Sequence, residues 1–265
     1  MPRCEVHATA VVEPGAQLGE DVRIGPFCHV GGEVSLADGV VLKSHAVVVG
    51  RTSIGARTQI FPFASIGHQP QDLKYKGEPS TLTVGSHCII REGVTMNPGT
   101  QGGNMATVVG DHCAFLANSH VGHDCRVGNN VILSNNVMLA GHVTVGDFAI
   151  LGGGAAVIQF SRVGNHSFIG GMSGLENDLI PFGMALGNRA QLSGLNIVGL
   201  QRRGFSRDDI HTLRRAYRLL FADEGTLVER LDDVEKEFDH PAVKEIVDFI
   251  RAGGKRSLCV PHAEA

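Results

Sequence analysis

The sequence predicts a mainly β protein, a parallel β-helix of six-residue repeats followed by a C-terminal α-helical domain, and three observations predict it. Aliphatic residues recur every six positions from Val6, Val12, Leu18 and Ile24 onward to Ile54, Ile60 and Ile66. The series resumes at Val84, Ile90 and Met96, shifts by one residue across a Gly-rich stretch, and runs again from Val109 and Phe115 to Ile169 and Leu175. Second, the position two residues before the aliphatic is nearly always small or β-branched, as at Ala46, Thr52, Thr58, Ala64, Thr107, Ser119 and Ala149. Third, 35 Gly stand beside no Trp and 2 Tyr in 265 residues, a composition of short aliphatic segments joined by tight turns.

A six-residue period fits neither the 3.6 of a helix nor the alternation of a long strand. It fits a coil of short strands with a turn after each, three hexapeptides closing a triangle. The coil domain spans residues 1–186 and carries two insertions, 68–81 and 99–106, where polar and glycine residues replace the expected aliphatics. The second insertion reads as a flexible loop. Cys4, Cys28, Cys88, Cys113 and Cys125 fall in the small-residue column, so they read as buried, reduced thiols.

Residues 187–265 read as helical. Ser206 can cap a helix with Asp209 at the capping-box position, and Ile210, Leu213, Tyr217 and Leu220 form its apolar stripe. Leu227, Leu231, Val234 and Phe238 predict a second helix, and Pro241 through Gly253 a third. A solenoid needs a cap at its open end, which these helices would supply together with an oligomer contact.

A net charge of -4 gives no basic field for nucleic acid, and 43% hydrophobic with 19% charged residues excludes a disordered chain. No apolar run is long enough to span a bilayer and the N-terminus lacks a leader pattern, so the chain reads as cytoplasmic.

The segment Asn118–Cys125 carries the most chemistry. Ser119, Val121 and Cys125 occupy inward columns, which leaves His120, His123 and Asp124 projecting outward. An imidazole beside a carboxylate suits general-base work. His142, one residue beyond a full 18-residue coil from His123, should lie close by. Two other readings stay open on these residues: an inert solenoid, and a zinc site of His120, His123 and His142 such as trimeric β-helical carbonic anhydrases use for hydration.

Four blocks in order, QDLKYKGEP from Gln71, NSHVGHDC from Asn118, LAGHVTVGDFAILGG from Leu139 and GLNIVGLQRRGFS from Gly194, resemble the UDP-N-acetylglucosamine O-acyltransferase family. That family performs the first acylation of lipid A synthesis. The resemblance implies a left-handed parallel β-helix and a homotrimer with active sites between subunits. It implies transfer of an (R)-3-hydroxyacyl group from acyl carrier protein to the glucosamine 3-hydroxyl of UDP-N-acetylglucosamine, with no cofactor and no metal. His123 would be the base, Asp124 its orienting carboxylate and the Gly141 N–H the oxyanion donor. Asp72, Lys74, His120, His142 and Gln159 would line the sugar and acyl pocket. Asn196, Arg202 and Arg203 would meet the nucleotide phosphates and the phosphopantetheine, and Gly171 would set acyl-chain length. Ile158, Val198 and Asn97–Pro98 depart from the family's pattern, which keeps a 3-amino acceptor open as an alternative.

Overall fold

The computed structural model describes residues 4–262; residues 1–3, part of the N-terminus read for a leader, lie outside them. Each aliphatic of the six-residue series is the last residue of a strand, almost all of them two residues long. Strand Glu5–Val6 pairs in parallel with Arg23–Ile24, and Val11–Val12 with His29–Val30, so one coil takes 18 residues. Three sheets of eleven, nine and eight strands result. Here they are called the first, second and third faces, after the strands Glu5–Val6, Val11–Val12 and Gln17–Leu18.

The core is the inward column itself. Phe115, Leu133 and Leu151 stack one coil apart on the first face, each fully buried. Burial of each such side chain stabilises by about 1.5–3 kcal/mol. Thr52, Thr58, Thr107, Ser119 and Ser161 in the small-residue column are buried where the coil turns. Cys28, Cys88, Cys113 and Cys125 are buried and unpaired, and burial pushes the Cys125 thiol up to about 12, which makes it inert. Cys4 departs from the expectation: it lies in the first coil, where none of the described residues covers the column's end, and it is exposed. Val6, the inward residue of the first strand, is exposed for the same reason.

Turns at most corners place one residue in the left-handed region, including Asp124 (φ 59°), His142 (φ 64°) and Phe160 (φ 69°). These three are spaced by one coil, so the corner between the second and third faces stacks their side chains. His123, Gly141 and Gln159 form the adjacent column on that corner.

The chain does not pass straight from coil to helix. Gln191–Leu195 folds back antiparallel on Gly183–Leu186, and a short helix that the sequence did not predict, α1 (Ile197–Arg202), follows. The remaining helices are α2 (Arg207–Leu220), α3 (Leu227–Glu237) and α4 (Pro241–Arg251). Ser206 and Asp209 form the expected capping box, while Ala216 joins Ile210, Leu213 and Leu220 on the buried stripe and Tyr217 is only partly buried. Helix α4 lies against the third face at its last coils: Arg162 pairs with Asp178 at 2.7 Å beneath the Phe249 ring, and Asn165 donates to Glu245 at 2.8 Å.

Candidate active site at a corner of the coil

The corner between the second and third faces gathers the titratable groups. His123 Nδ1 lies 2.9 Å from Asp124 Oδ2, and the His142 ring stands edge-on to His123 with centroids 4.9 Å apart. His142 N–H donates to the His123 carbonyl at 2.9 Å, which is the ladder bond that ties one coil to the next. His142 in turn stacks on Phe160 at 4.5 Å.

Asp124 corrects one expectation. It leaves the coil outward, but it is 2% exposed, because the 99–106 insertion closes over it. Thr100 donates from N–H and from Oγ1, and Asn104 donates from N–H at 2.8 Å. Gly103 lies so close that any Cβ there would strike the carboxylate. The insertion read as a flexible loop is therefore a clamp. Burial works against the charged carboxylate, but the bonds from Thr100, His123 and Asn104 outweigh it and hold Asp124 below its ordinary value.

Gly141 lies on the opposite side of the His123 ring. A Cβ at this position would collide with His123 Nε2 and Cε1, so only glycine lets the backbone approach the imidazole. The equivalent turn position in other coils is Pro14, Pro26 or Pro62, which have no N–H. The fold thus makes no use of the N–H there, and at Gly141 it is available to a ligand.

His120 faces the second face, where its Nδ1 meets Thr95 Oγ1 at 2.7 Å. It lines a groove of about 600 Å³ with Gln71, Met138, Ala156, Ile158 and Glu176. Burial, then the neighbouring His123, lowers its pKa. The zinc reading expected His120, His123 and His142 to converge. Instead the ligand atoms that lie within 4.8 Å of one another belong to His123, Asp124 and His142, and His120 turns to Thr95.

Asp72 and Lys74 lie on the first insertion, facing Thr100 and Gln101 of the second across a depression of about 430 Å³. Asp72 is near enough to His142 to act on its charge. Gln159 is exposed one coil beyond Gly141, and its carbonyl accepts from Arg256 Nε at 2.9 Å.

The other expected residues sit elsewhere in the chain. Gly171 follows the strand Phe168–Ile169 and so occupies the corner between the first and second faces. Arg202 and Arg203 border a cavity of about 640 Å³ on the first face with Ile150, Phe168, Met184 and Val198. Within that cavity Asn196 is committed to the fold: it caps α1 by accepting from Gly199 N–H and donates to the His166 carbonyl at 2.9 Å. Arg203 is committed in part, with Nη2 on the Phe148 carbonyl at 2.7 Å, whereas Arg202 is exposed. No sequence signal marks Thr100 and Asn104 as partners of Asp124, or Lys255, whose Nζ lies 4.1 Å over the Phe160 ring.

The hexapeptide repeat of bacterial transferases matches residues 15–50 and 106–141, and the family described as UDP-N-acetylglucosamine O-acyltransferase, domain 2, matches residues 178–259. Fold and repeats together define a hexapeptide-repeat transferase. A protein of Methylobacterium radiotolerans is 73% identical over 204 residues, 77% of this chain and 75% of its own length. One of Bartonella henselae is 51% identical over 265 residues, 100% of this chain and 97% of its own length. Both are named acyl-[acyl-carrier-protein]–UDP-N-acetylglucosamine O-acyltransferase. The solved LpxA of Acinetobacter baumannii superposes with a TM-score of 0.93 at 39% identity, covering 97% of this chain and 99% of its own. The chain belongs to the UDP-N-acetylglucosamine O-acyltransferase family, and its coil is the left-handed parallel β-helix of that family.

Proposed function

We propose that the protein transfers an (R)-3-hydroxyacyl group from acyl carrier protein to the 3-hydroxyl of UDP-N-acetylglucosamine, with His123 as general base. The names of relatives that match the whole chain support the reaction. The observation that carries the residue assignment is the buried Asp124 carboxylate, 2.9 Å from His123 Nδ1, with the Gly141 backbone against the other side of the ring.

Asp124 holds the proton of the imidazole on Nδ1, which leaves Nε2 to accept the proton of the sugar hydroxyl. The hydroxyl oxygen attacks the thioester carbonyl as that proton moves. The Gly141 N–H stabilises the resulting oxyanion. Collapse breaks the C–S bond, and the departing phosphopantetheine thiolate takes the proton back from Nε2. No acyl-enzyme forms and no cofactor is required.

Asp72, Lys74, His120, His142 and Gln159 line the acceptor and acyl groove in this reading. Gly171, Arg202 and Arg203 serve the groove of a neighbouring copy in a homotrimer, which accounts for their distance from His123 within one chain. Residues 1–186 carry the chemistry, and residues 187–265 the nucleotide contacts and assembly. No helix among the described residues is long and apolar enough to cross a membrane, and the substrates proposed are cytoplasmic molecules.

The test is incubation with UDP-N-acetylglucosamine, its 3-amino analogue and a ladder of hydroxyacyl carrier proteins, read by mass spectrometry. The O-acylated nucleotide sugar is expected. Acylation of the 3-amino analogue alone, which Ile158 and Val198 leave chemically open, would replace the acceptor in this reading, and no acylation of either would overturn it.

A further inference from the structure

The C-terminal segment after α4 returns to the active-site corner. Asp178 N–H donates to the Ser257 carbonyl at 2.8 Å, Cys259 N–H to the Asp178 carbonyl at 2.8 Å, and Leu192 N–H to the Val260 carbonyl at 3.0 Å. Cys259 is buried beneath this strap. Its two cations meet the corner: Arg256 holds the Gln159 carbonyl, and Lys255 Nζ sits 4.1 Å over Phe160. Phe160 stacks on His142, and His142 stands edge-on to His123. An ammonium thus ends a stack of rings that begins at the proposed base.

His142 and His123 compete for one oxygen. Asp124 Oδ2 is 2.9 Å from His123 Nδ1 and 3.9 Å from His142 Nδ1. A charged His142 would draw the carboxylate to itself and leave His123 a weaker base. We propose that Lys255 is a positioning residue of the acyl transfer, held by the C-terminal strap so that its charge keeps His142 neutral and Asp124 paired with His123 alone. This rests on the reading of His123 as the base.

The charged groups that face His142 are Asp124 and His123 from the preceding coil, Asp72 from the first insertion and Lys255 from the strap; Phe160, from the following coil, is uncharged. Burial is the largest influence and lowers the His142 pKa, and Lys255 and His123 act in the same direction against Asp124 and Asp72.

Lys255→Met keeps an apolar stem over Phe160 and removes the charge, while Lys255→Arg keeps the charge. The turnover number is measured against pH for both. A unit charge across one ring, partly screened by water, corresponds to about half a pH unit. The acid limb should therefore move upward by about that much in Lys255→Met, a loss of about threefold on the limb, and Lys255→Arg should restore it. Nitrogen-15 histidine titration of the same proteins should move His142 upward in Lys255→Met, and this readout does not depend on turnover. An unmoved limb and His142 titration, or an equal loss at every pH, would overturn the proposal. Full activity in His123→Ala would overturn the base assignment instead, so the two failures are distinct.

Discussion

Thr100 closes over Asp124: its Oγ1–H donates to Oδ2 at 2.6 Å, and its N–H lies 3.1 Å from both carboxylate oxygens. These bonds lower the Asp124 pKa in the folded protein. The unfolded chain then binds more protons in the acid range, so the group's stabilisation is present above the unfolded value near 3.9 and is lost as pH falls through the lower folded value. Asp124→Asn should lose this pH dependence, so chemical denaturation at pH 7, 5 and 3 should show a smaller fall in stability than the wild type shows. The same variant should lower turnover by ~10² to 10⁴, because the amide no longer fixes the imidazole tautomer. Equal acid sensitivity in the two proteins would contradict the clamp.

Gly141→Ala tests the approach of backbone to ring. The new methyl group would meet His123 Nε2, the atom proposed to accept the proton, and the ring must turn away. Turnover should fall by at least about tenfold, since positioning of the base is worth ~10² to 10⁴ in all. The φ of Gly141 is not in the left-handed region, so circular dichroism and the oligomer mass should match wild type. Unchanged turnover would mean that the ring does not work in the orientation described.

The arginine pair should divide. Arg202 is exposed, and its loss should raise the KM for a phosphate-bearing substrate, with added salt mimicking the loss. Arg203 holds the Phe148 carbonyl and lies over that ring at 5.5 Å, so Arg203→Ala should also lower the melting temperature. Equal melting temperatures for the two variants would show that the Phe148 contact adds nothing.

Gly171 has room for a side chain apart from the Gly153 carbonyl, 3.2 Å from the position of a Cβ. Gly171→Met should shorten the preferred acyl chain: overpacking costs ~1 to 3 kcal/mol, against ~0.8 kcal/mol gained per buried methylene. The ratio of kcat/KM for long over short acyl carrier proteins should fall. If, as proposed, His123 of one copy and Gly171 of its neighbour form one site, mixing His123→Ala with Gly171→Met chains should also yield sites that retain His123 and the wild-type length preference.

The coil was legible because its core is a one-dimensional column, and each of its positions repeats a local rule of size and polarity. Helix α1 was not: Ile197–Arg202 is too short to show a helical period, and its cap, Asn196, was read as a ligand of phosphate. The direction of Asp124 was legible from the inward columns. Its burial was not, because it depends on Thr100 and Asn104, more than one coil earlier in the chain, and nothing in the composition of a glycine-rich insertion encodes which way its N–H groups turn. Lys255 was invisible for a stronger form of the same reason, since a strap that crosses from the end of α4 to Phe160 follows no period at all.

The most direct test of the account is turnover of UDP-N-acetylglucosamine by His123→Ala, measured by mass spectrometry with a long-chain hydroxyacyl carrier protein on protein that retains its fold and oligomer mass. The account predicts a loss of ~10² to 10⁴, the usual worth of a positioned base. Turnover within a few-fold of wild type would contradict it.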